Sequence, residues 1–133
     1  MADSVAQEII AVLLKTSGIG DAVRGRISDE HPFSKTQPEF PSILIRRAGE
    51  GETHKYFPGA AYSLMLTVCS TISSDEAVGL HANIAAVLHQ QRFSRSGTSF
   101  VLWKLHPPVT TIDDTGALVY MAHVSYEVQS VGP

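Results

Sequence analysis

Ala61 to Ser73 reads AYSLMLTVCSTIS, and in it Tyr62, Leu64, Leu66, Val68 and Ile72 alternate with Ser63, Met65, Thr67, Cys69 and Thr71. A period of two belongs to a β-strand whose successive side chains face opposite sides. One face of this strand is therefore core, and the other is only mildly polar. The period then changes. Ser73 and Glu76 have the spacing of a capping box, and the following SDEAVGLHANIAAVLH places Ala77, Leu80, Ile84, Val87 and Leu88 on one helical stripe. A long strand feeding a capped amphipathic helix is the unit around which the rest of the chain is arranged.

Upstream, Ser4 to Thr16 carries Val5, Ile9, Val12 and Leu13, joined by Ile10 and Leu14, at helical spacing, with Gln7, Glu8 and Lys15 opposite. Asp3 or Ser4 can cap this helix, and Gly18 suits the left-handed residue that ends it. SGIGDAVRGRI reads as a turn leading to a short strand near Ile27. SILIRR is a β-rich run that starts beside Pro41, where a proline removes no ladder hydrogen bond. Two polar segments flank that run: residues 28–41, with three prolines, and residues 48–60, with three glycines and a proline.

Downstream, RFSRSGTS reads as a loop, FVLWKL as a short strand stopped by Pro107 and Pro108, and DDTG as a tight turn. The last strand, ALVYMAHVSYEVQS, carries Leu118, Tyr120, Ala122, Val124, Tyr126 and Val128 on one face. The order α-β-β-β-α-β-β gives one α+β domain over residues 1–133, with a mostly antiparallel sheet of four to five strands and two helices packed on one face. The second faces of the long strands are only partly polar, which points to a further buried surface, most economically against another subunit.

The 133 residues suffice for one core shared by a sheet and two helices. Ten basic and 13 acidic residues give a formal net charge of −3, and no basic cluster exceeds Arg46-Arg47, so grip on nucleic acid by phosphate neutralisation is not expected. Cys69 is the single cysteine, which excludes an intrachain disulfide and fits a reducing compartment. MADSVAQEII has no basic n-region ahead of an apolar core, and no apolar run nears the roughly 20 residues that span a bilayer. These features read as a cytoplasmic product with no membrane partner.

Catalytic motifs are not found. SRSGTS lacks the spacing of a nucleophile elbow, and Cys69 lies mid-strand, where a small buried thiol is the ordinary case. The six histidines, His31, His54, His81, His89, His106 and His123, show no i, i+4 pair, and His81 and His89 sit about 80° apart around their helix, so they cannot share an ion. They read as solvated or interface residues. The G-x-G of SGIGDAVRGR follows a helix instead of linking a strand to one, so its amides are not aimed at a phosphate. Asp29, Glu30 and His31 are adjacent and alternate in direction, which does not converge them on one substrate atom. No metal, no cofactor and no catalytic residue is expected.

The whole pattern resembles a family. The N-terminal helix, GRI, a Pro-rich stretch ending in FPSILI, a hairpin into YSLMLTVCS, the capped helix and DDTGALVYMAHVSYEV together look like the small tail-terminator or tail-completion proteins of long-tailed bacteriophages and gene transfer agents. The resemblance spans residues 4 to 129. It implies a non-enzymatic virion component that assembles as a homo-oligomeric ring, typically a hexamer, on the last ring of the tail tube protein. The ring stops tube polymerisation and offers a surface to the head-tail connector. Such a ring needs a heterologous interface that closes by rotation, and it leaves a lumen for DNA. Six copies would carry a formal charge of about −18, which repels phosphates instead of trapping them.

Within that frame the segments at 28–41 and 48–60 are intersubunit arms. His31, Pro32, Phe33, Arg46, Arg47, Glu50, Glu52, Tyr56 and Phe57 are the candidate subunit or tube contacts. Tyr56 and Phe57 lead them, since aromatics in a glycine-bounded loop are common anchors. Two other readings stand beside this one: a head-tail connector or neck protein of the same particle, and a small α+β enzyme or ligand-binding domain using Asp29, His31 and residues near His106.

Overall fold

The computed structural model describes residues 4–28, 39–48, 61–95, 98–113 and 118–131. Along the chain it contains α1 (Ser4–Lys15), β1 (Ile27–Ser28), β2 (Ser42–Ala48), β3 (Ala61–Ser70), α2 (Ser74–Leu88), β4 (Arg92–Arg95), β5 (Thr98–Lys104), β6 (Val109–Asp113) and β7 (Val119–Val131). The strands form one sheet in the order β1-β2-β3-β7-β5-β4, with β6 pairing β7 as well. β1 runs parallel to β2, and the other pairings are antiparallel. Among the described residues the fold is thus α+β with two helices, as expected, but the sheet is mixed and has seven strands instead of four to five.

The two unexpected strands are β4 and β6. RFSR pairs with β5 as the first arm of a hairpin, and Ser94 and Ser99 face each other across it with their hydroxyls 3.0 Å apart. Of the serines flanking Gly97 in SRSGTS, Ser99 is thus one half of a cross-strand pair, and Ser96 lies outside the described residues. VTTID forms β6 against the first half of β7, while β5 takes the second half of the same edge.

Register explains the core. Ile43 lies opposite Val68, Leu66 opposite Val124, Leu64 opposite Tyr126 and Leu102 opposite Val128. All these side chains share one buried cluster with Ile9 and Leu13 of α1 and Ala77, Leu80, Ile84 and Leu88 of α2. α2 packs on β3, β5 and β7, whereas α1 touches β1, β2 and β4, which lie at opposite ends of the strand order. The sheet therefore curls, and its two ends meet on α1. Three positions read as core from periodicity lie outside it: Leu14, Ile72 and Leu118 are exposed. Ile72 and Leu118 fall just outside the ends of their strands.

Local chemistry sets the element ends. Gly18 has φ of +86°, the left-handed geometry that stops α1. Ser73, in extended backbone, accepts a hydrogen bond from the Glu76 amide at 3.1 Å and so caps α2. Ser70 completes the cap. Its buried hydroxyl donates to the Glu76 carboxylate at 2.8 Å and accepts from the amides of Ile72 and Ser73.

Candidate functional site

The residues expected to contact partners are mostly not among those described. His31, Pro32, Phe33, Glu50, Glu52, Tyr56 and Phe57 lie outside the described residues. Arg46 is exposed on β2 opposite Met65, and the Arg47 backbone pairs opposite Leu64. Asp29 and His31 of the enzyme reading are also outside the described residues. The end of the Pro-rich segment is anchored within the chain: the Arg26 guanidinium donates to the Pro41 carbonyl at 2.9 Å and lies 3.7 Å from the Glu39 carboxylate. These groups border a cleft of about 440 Å³ that also includes Arg24 and Phe40.

The outer face of the sheet, away from the helices, is partly buried within the chain itself. Ser42, Leu44, Thr67 and Cys69 are all buried there. Burial pushes the Cys69 thiol up to about 11, against a smaller lowering by the Ser42 side chain. A thiol of that kind is a packing group and not a nucleophile.

Among the described residues, four histidines take part in polar contacts that sequence spacing did not bring out. His81, His89, His106 and His123 make hydrogen bonds around the corner where β5 leaves the edge of β7 and β6 joins it. The fully buried His81 ring, on α2, donates from Nε2 to the Ala122 carbonyl on β7 at 2.6 Å, and its Nδ1 has no partner. Burial lowers its pKa to about 4. The Ala122 contact works in the opposite sense, and electrostatic interaction with His123, Lys104 and His106 lowers it further. His89 follows the last residue of α2 and accepts the Lys104 amide at Nδ1, 2.9 Å away.

His106 spans the gap between the two pairings. The Ser125 amide donates to its Nε2 at 3.1 Å, and its Nδ1 donates to the Pro107 carbonyl at 2.7 Å. His123 sits between two hydroxyls, Thr67 at 2.9 Å on Nδ1 and Thr111 at 2.8 Å on Nε2, and burial lowers its pKa. Met65, Val109 and Ser125 join His106 and His123 around an open cavity of about 350 Å³.

As chemistry, this corner is occupied. Both nitrogens of His106 are committed to backbone groups and both of His123 to threonines, so neither ring presents a free base to a substrate. No group of three or more histidine, cysteine or acidic side chains among the described residues could hold a metal ion. The expectation that the histidines are solvated or interface residues is corrected for His81, which is core. Its position was readable: Ala77, His81, Ile84 and Leu88 form an i, i+4, i+7, i+11 stripe.

No protein-family model matches the sequence, and no curated protein matches it. Among solved structures, the fold matches a chain in the virion of a native gene transfer agent (GTA) particle with a TM-score of 0.73, over 96% of this chain and 96% of that one, at 13% sequence identity. At that identity the likeness is one of fold, and it extends over nearly the whole of both chains.

Proposed function

We propose that the chain is a structural, non-enzymatic component of a phage-type virion. In this reading it forms a ring, a hexamer, that caps the head-proximal end of the tail tube, stops tube polymerisation and gives the head connector its seat, with DNA passing through the lumen. The observation that carries the reading is the fold likeness to a chain of a gene transfer agent virion over 96% of both chains. A surface built for association supports it. Every residue from Val109 to Ile112 in β6 is exposed, with Ile112 60% and Val109 53% accessible, although β6 is a β-branched strand in the sheet. β6 pairs with β7 alone among the described strands, so its other edge is open, and strands left open in this way are ready to pair with another chain.

The test is particle assembly in a strain lacking the gene. Tails of uncontrolled length that fail to join heads are expected, and added purified protein should restore both length and joining. End-on electron micrographs should show the added protein as a ring at the head-proximal tail end. Tails of normal length with heads attached would overturn the reading, and recovery of the protein on tailless heads alone would replace it with the connector reading.

A further inference from the structure

We propose that His89 and His106 form an acid-operated latch that holds the β5–β6 corner against β7 while both rings are neutral and releases it when they are protonated.

The latch follows from a gap in the ladder. β5 pairs with β7 as far as Lys104 opposite Tyr126, and β6 resumes at Val109 opposite His123. Between them the β7 edge at Ser125 has no strand facing it. The Leu105 amide reaches the Ser125 carbonyl at 3.0 Å, and the Ser125 amide is satisfied by the His106 ring. An imidazole lone pair thus stands in for the missing strand carbonyl. On the outer edge of β5, beyond the last residue that β4 pairs, the Gln90 amide donates to the Leu102 carbonyl at 2.7 Å and the Lys104 amide donates to His89. Trp103 packs edge-on to the His89 ring at 6.0 Å.

The partners fix the tautomers. A backbone amide can only donate and a carbonyl can only accept. His106 must therefore be protonated on Nδ1 and bare on Nε2, and His89 must be bare on Nδ1. Each ring has one free lone pair, and each lone pair is the acceptor for an amide of the corner. A second proton must take that lone pair, which sets N–H against N–H and removes the bond. His123 differs: its partners are hydroxyls, which donate or accept, so it keeps both bonds when charged. It is an internal control.

The titratable groups on the surrounding elements include Asp75, Glu76 and His81 on α2, Arg92 on β4, Lys104 on β5, Asp113 on β6, and His123 and Glu127 on β7. Lys104 and Arg92 are cationic, burial holds His81 and His123 below the usual imidazole range, and the acid nearest Ser125 along β7, Glu127, is buried two residues beyond it. Charging His89 therefore adds positive charge beside the residue, Lys104, whose amide it holds. Release would uncover the edge of β7 from Val119 to Ser125 together with the apolar residues of the 350 Å³ cavity.

Nuclear magnetic resonance of the full chain tests this between about pH 7.5 and about pH 5.5. Ring nitrogen shifts at the upper pH should report the Nδ1–H form of His106 and the Nε2–H form of His89. After correction for intrinsic exchange rates, amide exchange at Lys104, Ser125 and across β6 should rise at least about tenfold at the lower pH, as expected for losing two backbone hydrogen bonds. Amides in the β2–β3 pairing should not respond. In His106→Gln with His89→Asn, side-chain carbonyls replace the two lone pairs without titrating, and the corner should stay protected at both pH values. The opposite tautomers in the wild-type chain, exchange that rises equally in β2–β3, or an unchanged pH response in the double variant would each overturn the latch. The first two readouts need no variant to fold.

Discussion

Acidification from about pH 7 to about pH 4.5 should destabilise the folded chain through His81. The ring is fully buried on α2, its Nε2–H is spent on the Ala122 carbonyl, and a proton on Nδ1 would be a buried donor with no acceptor. Its pKa falls from 6.5 to about 4, with burial as the main cause. Between those two values the unfolded chain binds a proton that the folded chain refuses, so stability rises with pH across the window and is lost as pH falls toward 4. The slope is about 1.4 kcal/mol per pH unit at most, and roughly 2 kcal/mol should disappear between pH 7 and pH 4.5. Urea unfolding followed by circular dichroism, repeated at half-unit pH steps, measures this directly. His81→Gln keeps a donor for Ala122 without a titrating group. It should be less stable at pH 7 because its packing is poorer, yet lose less on acidification, by roughly the same 2 kcal/mol. Comparing the two chains cancels every other titrating group, His89 and His106 included. Parallel pH dependences would refute the assignment of this term to His81.

Four further outcomes test the packing. Ser73→Ala removes the side chain that accepts the Glu76 amide and should cost about 1 kcal/mol in denaturant unfolding. Tyr126→Phe removes a buried hydroxyl that has no hydrogen-bond partner and whose pKa burial raises to about 12, so stability should be unchanged or higher by up to about 1 kcal/mol. Gly20→Ala would place a Cβ 2.4 Å from the Leu14 carbonyl oxygen, and the backbone shift this forces should cost about 2 kcal/mol or more. Cys69, 1% exposed, should resist alkylation at pH 8 in the folded chain and react in urea, as followed by mass spectrometry.

Most of the scaffold was legible because its long elements carry their own periods. α1, α2, β3 and β7 each repeat a core residue often enough to set both element type and buried face, and Ser73 with Glu76 marked the start of α2. What could not be read lacked a repeat. β1 has two residues, and its parallel pairing with Ile43 and Leu44 depends on a partner 16 positions away. β4 has one apolar residue, Phe93, whose role appears only when Phe100 packs against it at 5.7 Å. β6 is β-branched, which was a usable signal in VTTID. Exposure of every residue from Val109 to Ile112 left no alternation to detect, and the prolines ahead of it suggested an end instead of a restart.

The histidine corner was illegible for a different reason, and the reason bears on what the corner does. Metal and catalytic motifs can be read from sequence because one element, or two linked ones, supplies the groups at fixed offsets. Here the partners are backbone groups 41, 15 and 19 residues away from His81, His89 and His106. A sequence does not display such partners, since every residue has the same amide and carbonyl. Only the topology, in which two strands share one edge of β7 and leave a gap, creates a need for side-chain acceptors. Lysine cannot accept at such a gap, and glutamine or asparagine would accept at every pH. Histidine accepts only while neutral, so its use at two positions of the same corner ties the closure of that edge to proton concentration in a way that the amides would not have done.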